Sequence, residues 1–242
     1  MAVINLINPY RFPTAPPGGG SQPSLIAVGT GTITSASDAV GGFSSYTPAL
    51  NDFILLVSST QTTMAITADV SGWVNILGTG GEYNVGSALG TSYLYHWVDA
   101  GEVSAVTQIY TCAAIYSPST ETGYTHAFAV RGVSTSNPID HIANFSEATA
   151  VTPHATPVLP GASLSNNSLV IVGTARDGAS GSGYGTQNPT GFTQQLSTAT
   201  NNDRWSGTYN SPTTAGVDVP SVNLTPLAAD EYASWAIALA AI

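Results

Sequence analysis

The sequence predicts an all-β protein: a jelly-roll-like β-sandwich built from two related halves, behind an extended N-terminal arm. Three observations predict it. The first is internal duplication. Asn51-Asp52-Phe53-Ile54-Leu55-Leu56-Val57-Ser58-Ser59 is echoed by Asn166-Asn167-Ser168-Leu169-Val170-Ile171-Val172-Gly173-Thr174, Ser71-Gly72-Trp73 by Thr190-Gly191-Phe192, and His126-Ala127-Phe128-Ala129-Val130 by Trp235-Ala236-Ile237-Ala238-Leu239. The three matches lie 115, 119 and 109 residues apart, a drift of loop-sized steps. Two copies are too few for a solenoid, but two all-β copies can close on each other as a sandwich or jelly roll. The second observation is strand-like patterning through the chain, and the third is the near absence of helical periodicity. A length of 242 residues suits one all-β domain as well as two smaller ones.

Taken in order, residues 1–24 form the arm. Pro9, Pro13, Pro16, Pro17, Gly18, Gly19, Gly20 and Pro23 exclude regular structure there. The arm also carries Ile4, Leu6, Ile7, Tyr10 and Phe12 as apolar anchors, with Arg11 between the two aromatics. The sandwich is expected over residues 25–242. Strand signals run through Leu25–Val28, Thr30–Thr34, Phe53–Val57, Met64–Ala68, Tyr93–Val98, Val103–Tyr116 and Tyr124–Val130. The continuous apolar run Phe53–Val57 is consistent with a strand buried on both faces. The copies span about 51–133 and 166–242. Between them, residues 134–165 read as a loop-rich connection whose prolines limit strand length. The second copy supplies Leu169–Val172, Gly191–Leu196, Asp203–Tyr209, Val217–Leu224 and Ala233–Ile242, with Asp177–Gly185 a glycine-rich loop. Asp99-Ala100-Gly101-Glu102 reads as a tight turn, and Thr225–Glu231 could form one helical turn.

Composition narrows the function classes. The chain is 43% hydrophobic, enough for a core, and only 7% charged, far below the usual quarter. It has no lysine, and its net charge is −10. Such a chain cannot neutralise many phosphates, so nucleic acid is not an expected partner, and an anionic membrane would repel it. A surface of Ser, Thr and Asn loses little rotamer entropy on contact, which suits a close-packed assembly as well as an exposed β-protein. Cys112 is alone and lies in an apolar stretch, so a buried structural thiol is expected rather than a disulfide framework. Residues 1–8 lack the basic and apolar regions of a signal peptide, and no apolar run approaches a membrane span, so synthesis in a cytoplasm is expected.

A search for chemistry returns little. His96, His126, His141 and His154 show no metal spacing, and the carboxylates are scattered, so no metal or cofactor is expected. There is no Gly-x-Ser-x-Gly elbow and no P-loop. Asp99, Glu102, Glu121 and Asp203 are available as a glycosidase pair or as solvated turn residues. Arg131 follows an apolar strand, and Asp140 lies in the loop beyond; an Arg at a strand end commonly pins a nearby loop carboxylate, so Arg131 and Asp140 are an expected structural pair. Trp73 and Trp235 read as core, while Trp97 and Trp205 remain open between core and ligand stacking.

The order Asn51–Val57, Ser71-Gly72-Trp73, Tyr95–Glu102, Ala127–Val133 and Pro138-Ile139-Asp140 resembles a domain common in virion proteins of tailed bacteriophages. The usual form there is a Gly-Asp-Leu-Leu strand, a Gly-Trp turn, a Tyr-Arg-Val-Ala-Asp-Gly strand, and an Arg-Gly-Val strand followed by Pro-Ile-Asp. The similarity covers about residues 50–242. His96 stands where a basic residue is common, and the arm is a further departure. The resemblance implies a jelly-roll sandwich without catalysis, found in head decoration proteins and in tail or fibre modules. It leads to the expectation of a virion structural protein, most consistent with a capsid decoration or cement role. The alternatives are a tail or fibre carbohydrate- or receptor-binding module and, more remotely, a glycan hydrolase. The expected partners are a major capsid protein or other virion protein, together with further copies of the chain; a homotrimer is favoured over a dimer.

Overall fold

In the computed structural model the protein is all-β, of the sandwich class that the sequence predicts. The structure describes residues 20–33, 38–60, 65–66, 72–78, 82–85, 89–112, 116–117, 123–176, 184–198 and 204–242. Contacts divide the chain into two compact units, one of residues 25–131 and one of residues 132–242 with the stretch up to Ser24.

The first unit contains strands β1 (Ser24–Ile33), β2 (Ala39–Gly42), β3 (Phe53–Thr60), β4 (Ala65–Ile66), β5 (Trp73–Asn75), β6 (Tyr83–Val85), β7 (Leu89–Trp97), β8 (Ile109–Cys112), β9 (Tyr116–Ser117) and β10 (Gly123–Arg131), with a short helix α1 (Ala100–Ala105). The second contains β11 (Ile139–Val151), β12 (His154–Ala155), β13 (Leu169–Arg176), β14 (Phe192–Thr198), β15 (Arg204–Tyr209), β16 (Asn223–Leu224) and β17 (Asp230–Leu239).

The duplication is written in the strand order. The first unit runs β5-β7-β3-β10-β1-β2-β8, and the second runs β14-β15-β13-β17-β11, with β12 paired to β16. Strand for strand, β1, β2, β3, β5, β7, β8 and β10 correspond to β11, β12, β13, β14, β15, β16 and β17. In each unit the first strand lies beside the last, the return connection that defines a Greek key. The copies differ in how their second strands pair, and the first also carries α1, β6 beside β7 and a β4–β9 ladder. In the first unit β2 and β8 extend the main sheet, whereas β12 and β16 form a ladder of their own.

The register corrects the sequence alignment by one residue. Asn51 and Asn167 share a φ of 64°, in the left-handed region that Asn tolerates. Their amides make matching bonds, Asn51 to the Val98 carbonyl and Asn167 to the Thr213 carbonyl. The central strands therefore repeat at 116 residues, so that Asp52 corresponds to Ser168 and Ile54 to Val170. A one-residue slip exchanges the two faces of a strand, and both faces of β3 and β13 are apolar, so the pattern alone does not set the offset. The other two matches hold: Gly72 and Gly191, at φ 83° and 84°, turn the chain into β5 and β14, and Ala127 corresponds to Ala236.

Each unit has a core. In the first, Ile54, Leu56, Leu94, Ala127 and Ala129 face Ala39, Tyr110 and Cys112 from β2 and β8. In the second, Val170, Val172, Ala236 and Ala238 pack with Trp205, Phe192, Leu224 and Leu159. All eight residues of β3 and all eight of β13 are buried; each large apolar side chain so buried contributes about 1.5–3 kcal/mol. Cys112 is free and buried, and burial pushes its thiol up to about 12, which keeps it unreactive. Trp205 and Trp235 are core, whereas Trp73 and Trp97 are only partly buried.

Local expectations change at several points. Val103–Ala105, read as part of a strand, lies in α1, and of Val217–Leu224 only Asn223–Leu224 is a strand, with an isolated bridge at Val219. Asp99–Glu102 is not a turn but the start of α1, where Asp99 caps the helix and Glu102 completes a capping box. Residues 139–151, expected as part of a loop, form the longest strand, β11, bracketed by Pro138 and Pro153. Residues 225–229 form no helical turn, and the chain enters β17 at Asp230. The arm residues 1–19, including Ile4, Leu6, Ile7, Tyr10, Arg11 and Phe12, lie outside the described residues.

Gly173 sits at the centre of β13, where a Cβ would overlap the Trp235 indole and approach the Trp205 carbonyl oxygen at 2.8 Å. Gly173→Ala is expected to lower stability by about 1–3 kcal/mol, read as a fall in the denaturant midpoint. An unchanged midpoint would show that the indole has room to shift.

Candidate partner-binding surface

The root of the arm is fastened to the second unit. The Gly20 carbonyl accepts a hydrogen bond from Asn167 Nδ2 at 2.7 Å, and Gln22 Nε2 donates to the Ser168 carbonyl at 3.3 Å. A Cβ at Gly20 would overlap the Ile242 carbonyl, so only glycine fits at this point. Residues 20–22 therefore lie beside the turn that leads into β13.

Arg131 does not take Asp140 as its partner. The β10–β3 ladder sets Val130 opposite Phe53, which brings Arg131 to Asp52. Arg131 Nε and Nη2 each donate to an Asp52 oxygen at 2.8 Å, a bidentate pair. Asp52 is buried and also accepts from the Tyr46 hydroxyl at 2.7 Å and the Ala49 amide at 2.9 Å. Burial first, and then the Asp52 carboxylate, push the Tyr46 phenol well above its ordinary value, so it stays a donor. Asp140 has partners in its own unit: the Ser165 amide at 2.6 Å, Ser165 Oγ at 2.8 Å and Ser168 Oγ at 2.5 Å. The arginine–carboxylate pair thus forms at Asp52, while Asp140 is bound by serines. Asp52 pins the turn before β3 and Asp140 the turn before β13. Position 52 carries the carboxylate itself in the first copy; the corresponding Ser168 binds one in the second.

Of the carboxylates read for chemistry, Asp99 and Glu102 take partners at the start of α1. Glu102 accepts from the Asp99 amide at 2.9 Å and lies 2.9 Å from His96 Nε2, while Asp99 accepts from the Glu102 amide. His96 Nδ1 lies 2.6 Å from the Gly72 carbonyl, which ties α1 to the turn before β5. Glu121 and Asp203 lie outside the described residues. Among the described residues, no three His, Cys, Asp or Glu side chains are grouped to hold a metal ion. No helix among them is long and apolar enough to cross a membrane.

Several large apolar side chains are exposed among the polar ones. In the first unit Leu50, Val106 and Ile109 stand out around α1, at 60%, 51% and 66% exposure. Leu50 precedes the Asn51 turn, Val106 ends the helix and Ile109 opens β8. In the second unit Val158 and Val217 flank the bridge between Leu159 and Val219, and Ile242 is exposed at the chain's end. Val106 is singular. It is β-branched and solvent-exposed, yet holds a φ of 51°, a conformation that glycine occupies without strain. Its backbone is held there by bonds to the Glu102 and Val103 carbonyls. Sequence reasoning missed this group because isolated apolar residues near turns carry no periodic signal, although the Asp99-x-x-Glu102 box could have marked the helix that presents it.

No protein-family model matches the chain, and no curated protein matches it.

The Asp52 site yields a graded expectation. Asp52→Ala strands the Tyr46 hydroxyl, the Ala49 amide and the Arg131 guanidinium, and should cost about 2–4 kcal/mol. Arg131→Ala should cost only about 1 kcal/mol, because the Arg131 side chain is 48% exposed and water can replace it. Chemical denaturation of both variants and of the double mutant checks the order. Equal losses from the two single changes would contradict it.

Proposed function

We propose that the chain is a non-enzymatic structural protein of a bacteriophage virion, a capsid decoration or cement protein that stabilises the head by clamping neighbouring subunits. The observation that carries this reading is the use to which its polar groups are put. Asp99 and Glu102 cap a helix, Asp52 and Asp140 pin the turns before the central strands, and His96 lies against a main-chain carbonyl. Large apolar side chains such as Leu50, Val106, Ile109 and Val217 stay exposed near turns. A surface of this kind adds affinity through area repeated over many copies rather than through chemistry at one site. The fastening of residues 20–22 supports a second part of the reading: the arm is a tether, with Ile4, Leu6, Ile7, Tyr10 and Phe12 as its apolar anchors and Arg11 paired to an acidic group on a virion neighbour. Closed symmetry is usual for soluble oligomers, and of the closed forms a homotrimer is favoured here, with a dimer second.

The second reading is a tail or fibre module that binds carbohydrate or a receptor. Partly buried Tyr95 and Trp97, with ring centroids 6.3 Å apart, favour it, since such rings can stack on sugar faces. Their planes cross at 80°, however, so they do not form one flat platform.

Two variants and a count test the proposal. Deletion of residues 1–19 leaves the Gly20 and Gln22 bonds in place, so the truncated protein should fold with unchanged stability and lose binding to the particle. Undiminished binding would assign the contact to the sandwich surface and overturn the tether. Val106→Gly should raise stability by up to about 1 kcal/mol by removing left-handed strain, while weakening attachment if Val106 is part of the contact. A copy number in the hundreds per particle supports the head assignment; a few to tens per particle, with hits on a glycan array, supports the tail module.

A further inference from the structure

The second unit buries a histidine whose hydrogen bond to a tyrosine hydroxyl can run in either direction. His154 on β12 is fully buried. Its ring stacks on Tyr232, with centroids 4.1 Å apart and planes 6° from parallel. Nε2 lies 3.0 Å from the Val151 carbonyl, and Nδ1 lies 2.5 Å from the Tyr184 hydroxyl. The Tyr184 hydroxyl lies 3.1 Å from Thr174 Oγ1, which donates to the Ala233 carbonyl at 3.1 Å.

Donor accounting defines the two states. A carbonyl can only accept, so Nε2 carries a proton in both. In the neutral ring Nδ1 is a lone pair, and the Tyr184 hydroxyl donates into it. A second ring proton reverses that link: Nδ1–H donates to the Tyr184 oxygen, which frees the Tyr184 hydroxyl to donate to Thr174 Oγ1, while the Thr174 proton stays on the Ala233 carbonyl. No hydrogen bond along the chain is lost. What changes is a buried positive charge.

That charge meets a defined field. From β13, Arg176 is buried, donates to the Ala228 carbonyl at 3.0 Å and lies 3.7 Å from an Asp230 carboxylate oxygen. From β17 come the Asp230 main-chain carbonyl, Tyr232 and Ser234, the last donating to the Ala155 carbonyl. From β11 come the Val151 carbonyl and Glu147, whose carboxylate acts on Tyr232. The two main-chain carbonyls and the Tyr232 face favour an imidazolium. Burial and the Arg176 guanidinium oppose it, and burial is the largest effect, so His154 is pushed down to about 4.

We propose that His154 is an acid-operated latch: its second ring proton reverses the His154–Tyr184 bond, adds a buried cation within the field of Arg176, and loosens the β12–β16 ladder that His154 heads. The corresponding strand β2 of the first unit, Ala39–Gly42, carries no titratable side chain. Stability from the neutral ring is fully present above the unfolded histidine value near 6.5 and is lost as pH falls from there toward 4. Across that window this one residue lowers the folding equilibrium constant by up to about 300-fold.

Residue-resolved amide exchange at pH 7 and pH 5, corrected for intrinsic rates, tests the latch in the full chain. The amides to follow are Ala155, which donates to the Tyr232 hydroxyl, Thr156, which donates to the Val222 carbonyl, and Val222, which donates to Thr156 Oγ1. Their protection should fall at least tenfold more at pH 5 in the wild type than in His154→Gln, whose amide can donate to Val151 and accept from Tyr184 without charge. His141, also held down by burial, is the control, and His141→Gln should leave the pH effect at Ala155 in place. The same acid loss in His154→Gln, or no loss in the wild type, overturns the proposal. Should His154→Gln fail to fold, NMR titration of the wild-type imidazole decides: a midpoint below 5.5 supports the latch, and one at or above the ordinary histidine value refutes it.

Discussion

The main-chain turn before each central strand is the constraint on which the rest of the structure depends. β3 and β13 are hydrogen-bonded on both edges and buried on both faces, so their side chains admit either face as the inner one. Something else must set which residue starts the strand. In both copies it is an Asn at φ 64°, next to a residue bound in a carboxylate cluster. With the turn set, Ile54 and Leu56 point to one core and Val170 and Val172 to the other. The flanking strands then follow in the same order in both units. Displacing the turn by one residue would exchange the faces of an entire strand, a far larger cost than the turn's own hydrogen bonds.

Scarcity of charge gives the same constraint a functional side. A chain with only four basic side chains has few strong electrostatic contacts to place. Arg131 meets Asp52 before β3, and the buried Arg176 lies near Asp230. Large apolar side chains stay exposed in each unit, Leu50, Val106 and Ile109 in the first and Val158 and Val217 in the second. Exposed apolar groups of this kind gain by repetition, and the proposed place in a particle rests on that physical fit together with the resemblance in sequence.

Much of the fold was legible because it lies in nearest-neighbour patterns. The run Phe53–Val57 announced a doubly buried strand, and Ala127–Val130 announced its partner. The duplication was legible for the same reason, as apolar runs and Gly-aromatic turns recur in order. What escaped were features set by long-range pairing. Arg131 reaches Asp52 only because Val130 opposes Phe53 across a ladder, and nothing local distinguishes Asp52 from Asp140. β11 was hidden because its sequence, Ile139–Val151, lacks strict alternation and carries two register shifts. His154 read as an isolated histidine because Tyr184, Thr174 and Tyr232 come from three distant segments.

Native-state hydrogen exchange across the whole chain tests the central claim most directly. If the two pinned turns and doubly buried strands organise the fold, the slowest amides should be those of residues 54–57 on β3 and 170–173 on β13. They should form two sets of similar protection, and Asp52→Asn should weaken the first set alone. Fast exchange in either central strand, at rates like those of β5 or β14, would contradict the account.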